Sequence, residues 1–272
     1  MSRRHALVDV AVLAALLLYA TPFLWQVLTS FKPEAELLRV PPLWPSRLTL
    51  AHYEVVFTQS TVPIALWNSL ATGVMTTLLA CALGVPAAFA LATLPVPAAG
   101  GLMLAIVAST AFPQIATVSP LYLLMRELGL RDTWTAVVLA DASFALPFVI
   151  WLMTRFMREV PKALSEAAAL DGCGRIGTLV RIHLPLTAPG LASVALLTFL
   201  FAWNEFLFAF TFTATEASRT VPVALALFPG VFEVPWGDIA AASILASIPP
   251  VVIVIGFQRW LVRGLLAGSL TE

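Results

Sequence analysis

Long apolar runs separated by short polar stretches set the pattern of this chain, and their lengths predict helices that cross a bilayer. About 20 apolar residues are needed to span about 30 Å of hydrocarbon. Ala6–Leu28 supplies the first such run. No Lys, Arg, Asp or Glu occurs between Glu54 and Arg126. As one straight helix that stretch would be about three times too long for a crossing, so it must fold back. Pro95-Val96-Pro97 followed by Gly100-Gly101 is the breaker cluster near its middle. The pattern predicts six helices, at about 6–28, 63–94, 101–125, 133–154, 189–214 and 239–260, in a single transmembrane domain over 1–272. Asp132 or Thr133 is available as N-cap of the fourth. Pro189 falls in the first turn of the fifth, where its missing N–H costs little.

Composition sharpens this to an all-α polytopic membrane protein. Only 11% of residues are charged and 60% are apolar, with mean hydropathy +0.94. A soluble domain carries about 25% charged residues. The opening Ser2-Arg3-Arg4-His5 resembles the start of a signal peptide, but the apolar run after it is too long and no A-x-A site closes it, so an uncleaved first helix is expected. With the N-terminus inside, Arg3, Arg4, Arg155, Arg158, Lys162, Arg175, Arg181, Arg259 and Arg263 face the cytoplasm. Lys32, Arg39, Arg47, Arg126, Arg131 and Arg219 then face outward. That bias places both termini in the cytoplasm. The long inner segment is 155–188; the long outer segments are Lys32–Val62 and Thr215–Asp238.

The 15 basic and 15 acidic residues cancel, which leaves no general field for nucleic acid. Neither lysine, Lys32 nor Lys162, follows a glycine, so a Walker A phosphate loop is excluded. His5, His52 and His183 form no H-E-x-x-H, no serine lies in G-x-S-x-G, and Cys81 and Cys173 have no zinc spacing. No catalytic residue, resident metal or resident cofactor is therefore expected, and the chain reads as a non-enzyme. Gly172-Cys173-Gly174-Arg175-Ile176-Gly177 fits G-x-G-x-x-G, but an alanine-rich helix former precedes it where the dinucleotide fingerprint needs a strand.

Pro161–Leu170 has strong helix propensity, with Pro at its start and Gly172 just past its end. On composition alone it is a surface helix resting on lipid headgroups. Its spacing says more. Glu166-Ala167-Ala168, Gly172, Ile182 and Leu184-Pro185 reproduce E-A-A-x3-G-x9-I-x-L-P without a gap. This resembles the cytoplasmic loop of ABC importer permeases. Phe144–Phe148, Arg155–Pro161, Ala202–Leu207 and Gln258–Gly268 extend the similarity to the smaller, second permease of maltose-type carbohydrate importers. The resemblance implies a type I importer bundle in the prokaryotic inner membrane. It also implies a heterodimer with a second permease subunit, two ATPase subunits that bind ATP, and an extracytoplasmic sugar-binding protein. Glu166, Ala167, Ala168, Asp171, Gly172, Ile182, Leu184 and Pro185 would form the ATPase-coupling loop. Departures are His183 within the last part of the motif, no positive charge in the turn after the second helix, and the ending Ser269–Glu272.

Intramembrane carboxylates are costly and usually face a water-filled path or a partner. Asp141, Trp203, Asn204 and Glu205 are accordingly the candidate substrate pathway, set against simple helix–helix hydrogen bonding. Trp67 joins Trp203 as the other ring able to serve as a sugar platform. An alternative reading is an ion-coupled secondary transporter using Asp141 and Glu205, although the inverted repeats of such transporters are not evident. An intramembrane enzyme is disfavoured by the missing constellations.

Overall fold

Helices make up the regular structure of the computed structural model, which describes residues 3–37, 42–228 and 234–267. In chain order the helices of six or more residues are α1 (Arg3–Ser30), α2 (Ala51–Gln59), α3 (Val62–Thr93), α4 (Ala99–Ser109), α5 (Gln114–Glu127), α6 (Trp134–Arg158), α7 (Lys162–Leu170), α8 (Ala188–Trp203), α9 (Leu207–Phe212), α10 (Val221–Ala226) and α11 (Trp236–Ala267). Four stretches are long and apolar enough to cross a membrane alone: Val8–Ser30, Val62–Thr93, Trp134–Arg158 and Trp236–Trp260. Two bent pairs bring the number of candidate spans to six. The side chains of the ending Ser269–Glu272 and of Arg39 lie outside the described residues.

Two expected helices are broken. The third, read over 101–125, is α4 and α5 meeting at 89° across Thr110–Pro113. Pro113 has no N–H to give the ladder and disfavours helical backbone at Phe112, which ends one helix and starts the next. The fifth, read over 189–214, is interrupted at Asn204–Phe206 between α8 and α9. There the Glu205 carboxylate accepts from the N–H groups of Phe208 (2.7 Å) and Ala209 (2.9 Å). A side chain thus replaces the backbone partners that a continuous helix would supply.

Internal contacts divide the chain into two compact units. One comprises Met1–Pro63 and Ala224–Ile248. In it the apolar side chains of α1 stay outside the protein, with Leu18 76% exposed, as a lipid-facing helix requires. Polar contacts close the far end of α1. His52 of α2 faces Asp238 Oδ1 through Nδ1 (2.7 Å) and donates from Nε2 to the Lys32 carbonyl (2.9 Å). A Cβ on Gly237 would fall 2.2 Å from the His52 ring, so this glycine lets the histidine seat on the first turn of α11. Buried Lys32 lays its Nζ 3.9 Å from the centre of the Trp25 ring. Burial lowers the Lys32 pKa against the attraction of Glu36.

The other unit, Ile64–Val223 with Pro249–Glu272, holds the larger core. Ala80, Val85, Ala88 and Phe89 of α3 pack with Ala145, Val149, Met153 and Met157 of α6 and Val194 of α8. Helices approach closely because glycines line the seams: a Cβ on Gly84 would meet Val149 at 2.6 Å, and one on Gly190 would meet Phe156 at 2.6 Å. A second cluster joins Met125, Ala136, Val137 and Ala140 to Phe208, Ala209 and Phe212.

Candidate functional site

The motif between α6 and α8 folds as a helix, a turn and a second, irregular helix. Glu159-Val160-Pro161 ends α6, and Pro161 leads into α7. After α7 the chain reverses at Gly172, whose φ of +77° lies in the region that side-chain-bearing residues avoid. Cys173 N–H donates to the Ala168 carbonyl (2.8 Å), which closes the turn. Arg175–Thr178, a π-helical turn at Leu179–His183 and Leu184–Leu186 then run into α8 through an 83° bend. Pro185 and Pro189 mark that bend in the sequence.

The motif residues fall on two sides of this hairpin. Glu166, Ala167, Asp171, Gly172 and Pro185 are exposed, Ile182 and Leu184 are half-buried, and Ala168 is buried. Large apolar side chains flank Glu166 in the open: Leu164 is 43%, Ile176 79% and Leu170 89% exposed. Ala168 is the one side chain of α7 buried within the chain itself. The G-x-G-x-x-G stretch follows a helix, and no strand occurs among the described residues, so the dinucleotide arrangement is not formed.

The four residues read as a substrate pathway differ in their surroundings, although Asp141 and Glu205 lie close enough for their charges to interact. Trp203 is buried and packs on Phe199, ring centroids 5.7 Å apart, which occupies the face a sugar would need. Asn204 is exposed at the helix break and donates from Nδ2 to the Leu200 carbonyl (2.7 Å). Glu205 is the cap of α9. Asp141 is fully buried, and neither of its oxygens has a hydrogen-bond partner. A charge in that position would be costly without compensation. Trp67, by contrast, is 63% exposed.

Residues that sequence reasoning missed lie beside the α4–α5 break and just ahead of α6. A cavity of about 680 Å³ opens beside the α4–α5 bend, walled by Thr110, Gln114, Phe148, Trp151, Phe201 and Thr198 among others. The Thr198 hydroxyl is buried and unpartnered. The available signal was Phe112-Pro113 inside an otherwise helical run.

The second omission is Asp132, weighed only as a helix cap. Thr133 takes that place, its Oγ1 accepting from Ala136 N–H (3.4 Å). Asp132, at φ +62°, accepts instead from Ala214 N–H (2.7 Å), Thr215 N–H (3.0 Å), Thr215 Oγ1 (2.8 Å) and Ser218 Oγ. Burial pushes this carboxyl up, but the donors from Ser218, Thr215 and Ala214 outweigh it and hold the group well below the usual carboxylate range. On the same segment, Asn68 Nδ2 donates to the carbonyls of Ala217 (2.9 Å) and Arg219 (2.8 Å), and Val221 N–H donates to Ser69 Oγ (2.8 Å).

A set of apolar membrane-length helices with an exposed E-A-A hairpin is what the sequence pattern anticipates, apart from the two breaks. The family model described as "Binding-protein-dependent transport system inner membrane component" matches residues 1–267. The chain belongs to this family. Among this permease's relatives, the trehalose transport system permease protein SugB of Mycobacterium tuberculosis is 41% identical over 250 residues, 91% of each chain. The trehalose/maltose transport system permease protein MalG of Thermococcus litoralis is 38% identical over 252 residues, 92% of this chain and 90% of the relative. The sulfoquinovosyl glycerol transport system permease protein SmoH of Agrobacterium fabrum is 37% identical over 250 residues, 92% and 88%. The fold matches a bacterial ABC transporter involved in import of the acidic polysaccharide alginate, with TM-score 0.82 and 21% identity over 95% of this chain and 98% of that one. The permease is thus a type I ABC importer fold from a family of sugar transport permeases.

Proposed function

We propose that this chain is the transmembrane subunit of an ATP-driven carbohydrate importer, forming half of the translocation channel. It pairs with a second permease subunit in the inner membrane, with both termini in the cytoplasm. The hairpin carried by α7 docks on a separate ATPase subunit, and an extracytoplasmic binding protein delivers the sugar. The observation that carries this reading is the exposed α7 hairpin: Glu166 and Leu170 face outward, and Gly172 supplies the left-handed turn that the seven-position motif requires. A helix destined for a protein cleft needs apolar side chains around a charged anchor, since charge alone gives little at an exposed site. Glu166 pairs with a cation on the ATPase; Leu164, Leu170 and Ile176 bury apolar surface around it.

The lining of the 680 Å³ cavity suits a weak sugar path. Aromatic faces hold a pyranose ring, and Thr110, Gln114 and Thr198 exchange hydrogen bonds with hydroxyls. The ion-coupled alternative is less favoured, because Glu205 uses its carboxylate to accept from two backbone N–H groups of α9.

The test is reconstitution. The purified chain alone is expected to show no nucleotide turnover. Uptake of labelled trehalose or maltose into proteoliposomes is expected only when ATPase, second permease and binding protein are all present with ATP. Uptake driven by a proton or sodium gradient through this chain alone would replace the reading with a secondary transporter.

A further inference from the structure

Three elements meet at one residue in the motif, and that residue is not one of the seven motif positions. His183 is 1% exposed. Its Nε2 lies 2.9 Å from Oγ of Ser165, the residue of α7 next to Glu166. Its ring stands edge-on to Phe89 of α3, at 77° with centroids 5.0 Å apart, and Phe89 belongs to the core shared by α3, α6 and α8. Its carbonyl accepts from the N–H (2.9 Å) and the Oγ1 (2.7 Å) of Thr187, at the bend into α8.

The backbone is shaped to allow this. Leu179–His183 is a π-helical turn. Such a turn takes in one extra residue and rotates the next residues of the chain by about 100° relative to a regular helix. Single π-turns of this kind recur at functional sites, where they aim a side chain that a regular helix would point elsewhere. Here His183 points inward while Arg181 stays exposed. The imidazole Nδ1 is buried without a partner. An orphaned N–H is costlier than an orphaned lone pair, so Nε2–H donates to Ser165 Oγ and Nδ1 is bare.

We propose that His183 is a positioning residue for coupling: through Ser165 it ties α7 to the α3 core and carries the movement of the hairpin into the membrane helices. This rests on the reading of α7 as the ATPase-docking helix. A partner that pulls on Glu166 pulls on the neighbouring Ser165, and the hydrogen bond passes the displacement to a ring lodged against Phe89. The Thr187 contacts make the same residue the hinge post of the bend into α8.

The experiment uses the assembled transporter with ATPase, second permease and binding protein. A fluorescent label is placed at Leu83→Cys, a position of α3 that is 55% exposed, in a background of Cys81→Ala and Cys173→Ser. Two readouts are taken: the ATPase retained on affinity purification through this chain, and the change in label fluorescence on trapping with ATP and vanadate. Ser165→Ala is expected to retain the ATPase and to cut the fluorescence change at least threefold. Ser165→Thr, which keeps a hydroxyl, is expected to restore it. His183→Phe, which keeps a ring against Phe89, is expected to behave like Ser165→Ala. A full fluorescence change in Ser165→Ala, or none in the parent complex, overturns the link. Loss of ATPase retention in the parent complex instead refutes the docking reading itself, so the two failures are distinct.

Discussion

Residues 213–221 are held down by three polar side chains, Asp132, Asn68 and Ser69, whereas α7 turns nearly every side chain outward. Asp132 takes donors from Ala214, Thr215 and Ser218, while Asn68 and Ser69 of α3 fix the backbone from Ala217 to Val221. On α7 only Ala168 is buried and Ser165 half-buried, and Leu170 is left 89% exposed. The first segment has satisfied its backbone from within its own chain. Presented to the sugar-binding protein, as its expected outer position proposes, it would be a preformed platform with little ordering entropy left to lose on contact. The second, together with the rest of its hairpin, leaves Leu164, Leu170 and Ile176 uncovered by its own chain. On the proposed reading, the first segment is complete within the chain and α7 is half of an interface.

The largest effects are expected on the α7 side. Glu166→Lys sets a like charge against the cation that receives it, and Leu170→Asp places a charge where apolar contact is needed. Each is expected to weaken ATPase association by a few kcal/mol, tenfold or more in affinity, with normal chain abundance. Co-purification of the ATPase measures this. Gly172→Val comes next, since a β-branched residue at φ +77° costs about 1–2 kcal/mol or more. Sugar uptake per ATP hydrolysed should fall while membrane insertion is unchanged.

On the other segment smaller effects are expected. Asp132→Ala removes one acceptor shared by several donors, loosening 214–218 by about 1–3 kcal/mol. A spin label at Ala217→Cys should become more mobile, and uptake should fall severalfold without loss of bound ATPase. The pH dependence has a definite sign. The Asp132 carboxyl is held below its ordinary value, so its contribution is fully present above the ordinary carboxylate range and declines only as pH falls below it. Label mobility should therefore stay constant from pH 8 to 5 in the wild type, and Asp132→Asn should be mobile throughout. The smallest effect is expected from Thr198→Val. Removing an unpartnered buried hydroxyl is nearly neutral for stability, so a twofold or greater fall in uptake would mark the cavity as part of the sugar path.

Hydropathy made the candidate spans legible, because lipid demands long apolar runs and leaves little room for alternatives. The α7 hairpin was equally legible: its helix propensity, Pro161 and Gly172 act locally, and Gly172 takes the positive φ that its place past the helix end requires. The breaks were not. At Pro113 the local signal was present but was outweighed by the length of the apolar run. At Asn204–Phe206 the break depends on Glu205 turning its carboxylate along its own chain, which spacing alone does not reveal. Asp132 and His183 were hidden for a different reason. Their partners lie 82 and 18 residues away, and only the fold brings them together. Trp203 shows the converse, a ring that composition offers to a sugar and packing gives to Phe199.

Site-specific photo-crosslinking from position 170 in the intact membrane tests the central claim most directly. With a photoreactive phenylalanine analogue replacing Leu170, the account predicts a crosslink to an ATPase subunit that Glu166→Lys reduces tenfold or more. Crosslinks to lipid alone, unchanged by Glu166→Lys, would contradict it and make α7 a helix resting on the headgroups.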